Sequence, residues 1–286
     1  MIVTLKSIFE KNVSTQPPAA TPALGQDSSK NKPSLSFTQL STLLRCPRQY
    51  DFRYRWRLPI PTTGTLLQGR IYHSVAERNY RQKVQSGVDL SEDELAAQCA
   101  EWFDEALRIE QVGMEGQDPV ALKDQGVELV RLYAREIAPA VRPAAVEKPF
   151  RVGLGDGFPY DLTGRWDVVD VNGVIIDNKV YGKSPGQNEV DADLQLTVYS
   201  LAYRLLFQEQ EAGLRIDAAV KTKEPKTVSL RTTRTNAECR WLLRMIEQAV
   251  HAIELGVCYP NPGWQCGYCA FADLCLPGRV TDKVQR

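Results

Sequence analysis

The pattern of hydrophobic periodicity predicts an α/β fold with helical additions at both ends. Three observations carry this. The first half of the chain shows mostly helical spacing. Three strand-like runs then follow one another between 146 and 180, and helix and strand alternate after them. The tail after Gly256 is rich in Cys, Gly and Pro and cannot form a core by packing alone. The 286 residues include 43% hydrophobic ones, enough for one large domain or one domain with a modest subdomain. With 35 basic against 35 acidic residues the formal charge is zero. That excludes a histone-like basic-tail binder, and the apolar content excludes a wholly disordered chain, but a local basic groove stays open. No stretch approaches the ~18 apolar residues of a membrane span. The start MIVTLKSIFE has no clear signal-peptide core, so a cytoplasmic protein without membrane contact is expected.

Residues 1–35 are expected to be a flexible arm, because 11–35 are rich in Pro, Ser, Ala, Thr and Gln. Ser36 with Gln39 makes a capping-box pattern that opens a short helix to about residue 46. A basic, aromatic stretch follows over 45–57 and is stopped by Pro59 and Pro61. A second helix is predicted over about 65–85, with Leu67, Ile71 and Val75 on one stripe. Ser91 and Glu94 open a third, reaching about 112, and a fourth covers roughly 119–138. Strands are predicted at 146–152, 160–170 and 174–180, with Asn172-Gly173 as the hairpin signal between the last two. A helix over 189–210, strands at 216–221 and 226–231, and a helix over 236–255 complete the order. The expected organisation is therefore an arm (1–35), a helical region (36–145), a core (146–255) and a cysteine-bearing tail (256–286).

The string GRWDVVDVNGVIIDNKV holds Asp167, Asp177 and Lys179. Asp177 and Lys179 are two apart on a strand and share a face. They interrupt an apolar run, where charges are costly unless they serve each other or a metal. A two-residue loop would pair Asp177 with Val168 and turn Asp167 away. A three-residue loop over 171–173, with Gly173 in the left-handed position, pairs Asp167 with Asp177, and a bulge would serve equally. One of these last two arrangements is expected. Two converging carboxylates bind a hard cation such as Mg²⁺ or Mn²⁺, with Lys179 beside the water it activates; the plain alternative is a surface hairpin with scattered charges. Gln195 and Tyr199, four apart, share a helix face and either join this site or simply pair with each other. His73, one of two histidines, is either structural or a further metal ligand, and Glu147 is a weaker candidate.

Seven cysteines in a chain this long do not suggest a disulfide scaffold. Cys266, Cys269 and Cys275 cluster in the tail and need a fourth ligand. Cys46, at the head of CPRQYDF, and Cys258 compete for that place, while Cys99 and Cys239 read as small core residues inside helices. Four thiolates hold either a [4Fe-4S] cluster or zinc, and a single CxxC favours the cluster. Such a staple would tie the two ends of the domain together and be needed for folding.

Taken in order, these strings resemble the PD-(D/E)XK nuclease superfamily, and within it the RecB-type, Cas4-like iron–sulfur exonuclease branch. The likeness covers roughly residues 36–277 and rests on SFTQLSTLLRCPRQYDFRY, His73, GRWD with Asp167, Asp177-Asn178-Lys179, Gln195 with Tyr199, and the terminal cysteines. It implies a restriction-endonuclease-like core, a mixed central sheet flanked by helices. It also implies Cys46 as the fourth ligand of a [4Fe-4S] cluster with Cys266, Cys269 and Cys275. Metal ligation falls to His73, Asp167, Asp177 and the backbone carbonyl of Asn178, and catalysis to Lys179 with Asp167, Asp177, Gln195 and Tyr199. Asn178 departs from the hydrophobic residue or Tyr usual between the acid and the lysine, and its side chain must be satisfied away from the metal.

The stretch 45–57 interleaves five arginines (Arg45, Arg48, Arg53, Arg55, Arg57) with four aromatics, a pattern that can hold phosphates and stack bases or partly pack inward. A second basic run holds Lys221, Lys223, Lys226, Arg231 and Arg234 and is either a substrate wall or a solvated hairpin. Neither run reads base sequence. The expected activity is a metal-dependent DNA nuclease leaving 5′-phosphates; by the resemblance it acts on single-stranded DNA or free ends, in repair, recombination or CRISPR spacer acquisition. No G-x-x-x-x-G-K-[ST] loop is present, so unwinding would come from a helicase partner; an integrase-type partner is the other expectation. The competing expectations are a catalytically silent adaptor of the same fold and a zinc-stapled protein unrelated to nucleases.

Overall fold

The computed structural model describes residues 32–114, 116–155 and 157–275. Of the arm expected over 1–35, residues 1–31 lie outside the described residues. Ser34–Ser36 form a strand, β1, the first regular element among the described residues. Ser36 then acts as its spacing predicts. Its hydroxyl accepts from the Gln39 N–H while the Gln39 side chain accepts from the Ser36 N–H, opening α1 (Phe37–Arg45). Cys46 breaks the helix in an extended conformation, Pro47 restarts it over Pro47–Tyr50, and a π-turn at Asp51–Arg55 ends the basic segment.

Three long helices follow. The strand β2 (Thr62–Thr63) runs into α2 (Gly64–Ser86) under a Thr63 cap. The Ser91–Glu94 box opens α3 (Glu92–Ile109), after which β3 (Val112–Gly113) pairs with β2. Asp118 caps α4 (Pro119–Leu132), and the chain then widens into a π-turn over Tyr133–Ile137. These helices bury Leu67, Val75, Leu95, Phe103, Leu129 and Tyr133 against one face of the main sheet, at Val168, Ile176 and Ala219.

The sheet is built from β4 (Pro143–Gly153), β5 (Asp161–Asp170), β6 (Val174–Tyr181), β7 (Gly213–Val220) and β8 (Lys226–Thr232), with β1 added. β4 pairs antiparallel along one edge of β5. The other edge is divided: β1 pairs parallel with residues 161–163, and β6 pairs antiparallel at Val168 and Val169. β6 runs parallel to β7, and β7 antiparallel to β8, so the sheet is mixed, as expected. On its second face lie α1, α5 (Leu194–Phe207) and α6 (Asn236–Glu254), around Leu40, Trp166, Ile175, Leu201, Leu214 and Leu242.

One expectation needs correction. The helix expected over 189–210 is two pieces, Gln187–Asp191 and α5, because Asp193 leaves the helical conformation to cap α5. α1 packs on the sheet face opposite α2–α4, since its apolar residues Leu40 and Leu43 join the α5–α6 core. No helix among the described residues is long and apolar enough to cross a membrane.

Candidate active site

The β5–β6 hairpin has the three-residue loop. Val168 pairs with Ile176 and Val169 with Ile175, which leaves 171–173 as the loop and Asp167 opposite Asp177 in register. Asp170 closes the turn by accepting the Asn172 and Val174 N–H groups, each at 2.8 Å, and Gly173 takes the left-handed conformation at φ 80°.

Beyond these two pairs the ladder opens. The Asp167 carboxylate takes the place of a ladder carbonyl, and its Oδ2 accepts the Asn178 N–H at 2.9 Å. β5 changes face at this point: Trp166 packs in the α5–α6 core, whereas Val168 packs under α2–α4. Residues two apart on a regular strand share a face, so alternation is broken across Asp167. On the neighbouring strand Glu147, flanked by the pairs Val146–Val168 and Lys148–Trp166, has a φ of 47°. The shared kink aims Asp167 into the gap between β5 and β6. Gly164 supports it. A Cβ there would lie 2.3 Å from the Phe150 ring, and that ring packs 4.8 Å from Trp166. The Trp166 indole N–H also donates to the Tyr199 carbonyl, so the residue before Asp167 is locked.

Asp177 and Lys179 point to the α5 side. The Lys179 ammonium lies 2.8 Å from Asp177 Oδ2 and donates to Gln195 Oε1 at 3.0 Å. Gln195 Nε2 donates to Asp177 Oδ1 at 3.3 Å and to the Tyr199 hydroxyl at 2.7 Å. From the other face, α2 brings His73 Nδ1 to 3.5 Å from Asp167 Oδ2. The structure therefore gathers His73, Asp167, Asp177, Lys179, Gln195 and Tyr199 in one place. Glu147 is held by Arg165 at 3.3 Å. Asp193 completes the cluster, 3.3 Å from the Lys179 ammonium, and was not anticipated. An Asp just ahead of an apolar helix is a cap signal, but the expected single helix over 189–210 hid it.

The electrostatics suit a cation. Burial raises the Asp167 carboxyl well above the usual range, and Asp177 raises it further. Burial also raises Asp177, against the lowering pull of Lys179. Burial works against the Lys179 ammonium, but Asp177 and then Asp193 outweigh it and keep the lysine charged. Burial lowers His73, with Asp177 opposing, which leaves the imidazole neutral and able to donate a lone pair. Asp177 Oδ2 is buried without an aligned hydrogen bond, the ammonium being near but off-axis. Two buried, mutually repelling carboxylates with an unsatisfied oxygen fit a divalent cation, although among the described residues no three His, Cys, Asp or Glu side chains already form a metal-binding group. The Asn178 carboxamide lies buried, and its Oδ1 has no hydrogen-bond partner among the described residues, so the satisfaction expected for it is not met there.

Cys46, Cys266, Cys269 and Cys275 line one small cavity with Asn261 and Gln265; Cys258 is not among its lining residues. The Asn261 N–H donates to Cys46 Sγ at 3.4 Å. Burial raises the Cys275 thiol and the neighbouring Cys46 adds to this. Four cysteine sulfurs are the donor type that an iron–sulfur cluster or zinc takes, although among the described residues they do not already form a metal-binding group. Cys99 and Cys239 are buried core residues.

In the stretch 45–57, Tyr50 and Phe52 are buried while Trp56 is 58% exposed under the Arg48 guanidinium. In the second run Arg234 is a correction. It is buried, and its guanidinium donates to Thr197 Oγ1 and to the Val190 and Asp193 carbonyls, so it braces the α5 entry instead of facing substrate.

An α/β core with two carboxylates and a lysine where two strands part is the architecture of a nuclease. The family model of the PD-(D/E)XK nuclease superfamily matches residues 34–276, and the chain belongs to that superfamily. Its fold is similar to the crystal structure of a protein from Eubacterium rectale assigned as an exonuclease. The TM-score is 0.55 and the identity 16%, over 91% of this chain and 96% of the other. The crystal structure of SSO0001 matches over 90% of each chain at 14% identity, with a TM-score of 0.36. Comparison with curated proteins gives no match.

Proposed function

We propose that this chain is a metal-dependent exonuclease of the RecB-type, Cas4-like iron–sulfur branch, acting on single-stranded DNA ends and leaving 5′-phosphates. The observation that carries the reading is the meeting of Asp167 and Asp177 beside Lys179 at the β5–β6 split. The exonuclease assignment of the Eubacterium rectale protein agrees with it. Asp167, Asp177, the Asn178 carbonyl and His73 would hold Mg²⁺ or Mn²⁺. When bound, such an ion neutralises charge on phosphoryl oxygens and acidifies a water. Lys179 screens the negative charge that develops on the phosphate and orients the attacking water. Gln195 fixes Lys179 with its carbonyl and Asp177 with its amide, and Tyr199 fixes Gln195. Cys46, Cys266, Cys269 and Cys275 would hold a [4Fe-4S] cluster as a structural staple with no redox step. The arginines of 45–57 supply backbone contacts with little sequence preference, weakened by salt. A cytoplasmic role in repair, recombination or CRISPR spacer acquisition follows, with unwinding left to a helicase or integrase-type partner.

The test is digestion of end-labelled linear single- and double-stranded DNA beside a circular control, with Mn²⁺ and with Mg²⁺. Linear single strands should be degraded to products bearing 5′-phosphate and circles spared. No cleavage of any substrate by iron-loaded protein would discard the nuclease, and cleaved circles would discard the need for an end. A colourless anaerobic preparation with stoichiometric zinc would discard the cluster.

A further inference from the structure

The Lys179 ammonium forms an ion pair with Asp177 Oδ2 at 2.8 Å and donates to Gln195 Oε1 at 3.0 Å and Asp193 Oδ2 at 3.3 Å. The nearest, Asp177, is the buried carboxylate that a divalent cation would also need. An ammonium and a divalent cation on one carboxylate repel strongly in a site with little water. Capture of the ion therefore requires the ammonium to move without leaving the reacting centre.

Asp193 offers the second seat. It stands at the N-terminus of α5, off the sheet, and is held from two sides. Its Oδ1 caps the helix by accepting the Leu196 N–H at 3.1 Å. Its backbone carbonyl accepts from the buried Arg234 guanidinium at 3.0 Å, which also grips the Val190 carbonyl. One carboxylate oxygen is spent on the cap, and the other is left fixed and facing Lys179. Gln195 lies on the same side of the ammonium but is neutral, so Asp193 is the only charged acceptor among the described contacts of Lys179 apart from Asp177.

We infer that Asp193 is a positioning residue for Lys179, which receives the ammonium when Asp177 turns to a divalent cation. The inference rests on the nuclease reading above. The two tasks of Asp193 can be separated. Asn caps a helix about as well as Asp but carries no charge. Asp193→Asn therefore keeps α5 capped and leaves the ammonium on Asp177.

The experiment measures Mn²⁺ binding by titration calorimetry on the full chain for native protein, Asp193→Asn, Lys179→Ala and the double variant, with melting midpoints and steady-state cleavage of single-stranded DNA. Asp193→Asn should weaken Mn²⁺ binding about tenfold, a usual size for coupling between contacting groups. It should lower kcat with KM for DNA kept within about twofold and the midpoint unmoved. In the Lys179→Ala background the same change should leave Mn²⁺ affinity unaltered. Native-like Mn²⁺ binding by Asp193→Asn overturns the inference, as does an equal loss with and without Lys179, which would mark direct attraction of the ion by Asp193. If native protein neither binds Mn²⁺ nor cleaves, the nuclease reading itself has failed; if native binds and cleaves while Asp193→Asn matches it, only the role of Asp193 falls.

Discussion

Around Asp177 each polar group is carried by regular structure. Two strands, the cap of α5 and one face of α2 deliver the side chains, and buried Trp166, Tyr199 and Arg234 brace them. Around Cys46 the supports are sparse. Arg48 N–H reaches the Tyr259 carbonyl at 3.1 Å, Asn261 reaches the Arg45 carbonyl at 2.9 Å, Arg55 reaches the Ile253 carbonyl, and Phe52 meets Phe271 at 5.5 Å. Trp264 and Tyr268 are 83% and 89% exposed, so little apolar area holds that end together. The carboxylate site is arranged by backbone ladders before any ligand arrives. The packing of the cysteine end alone is thin, and with the proposed cluster that end would depend on what joins its sulfurs.

That contrast can be broken in order of effect. Lys179→Ala should lower kcat by about 10³-fold, the scale of losing one preorganised charge partner in the transition state, and leave the iron content untouched. Matching rates for variant and native protein would return the chain to a silent adaptor. Cys46→Ala should act the other way. Iron should be lost and the melting midpoint should fall by about 10 °C, as for removal of a structural metal staple, whereas Cys258→Ala should keep its iron. An unchanged midpoint and iron content in Cys46→Ala would remove Cys46 from the set.

A subtler test concerns the cost of the carboxylate site. Burial, then Asp177, raises the Asp167 carboxyl, so the folded state holds this proton more tightly than the unfolded chain. The stability it lends is complete below the unfolded value of about 3.9 and is lost as pH rises through the raised folded value. In metal-free protein, Asp167→Asn should therefore melt higher than native at neutral pH, by about 3 °C, with the gap closing toward pH 4. A gap that widens on acidification would reverse the sign and contradict the burial argument. The smallest effect is expected at Asn178. Its Oδ1 is buried and unpartnered among the described residues, so Asn178→Val should stabilise the fold by about 1 kcal/mol in denaturant titration.

Much of this was legible because it is local. Ser36, Ser91 and Asp193 cap helices through hydrogen bonds within three residues, yet only the first two were recognised, since each is followed three residues on by a Gln or Glu that completes the box. The sequence narrowed the hairpin to a three-residue loop with Gly173 or a bulge, and the structure has the three-residue loop. The face change at Asp167 was not legible there, because it arises where Trp166 and Val168 are claimed by cores on opposite sides of the sheet. Arg234 read as a surface cation because a sequence shows charge and not burial.

The amino-acid order by itself determined most of the elements, the Ser36 and Ser91 caps and a hairpin that sets Asp167 against Asp177 by a three-residue loop or a bulge, since each depends on neighbours a few residues apart. Only the tertiary structure decided that α1 and α2 take opposite faces, that His73 reaches Asp167 across the split, that Cys46 and not Cys258 lines the cavity of the tail cysteines, and that Asp193 stands beside Lys179. Those meetings join distant segments, and which distant surfaces are buried together is settled by packing the whole chain at once.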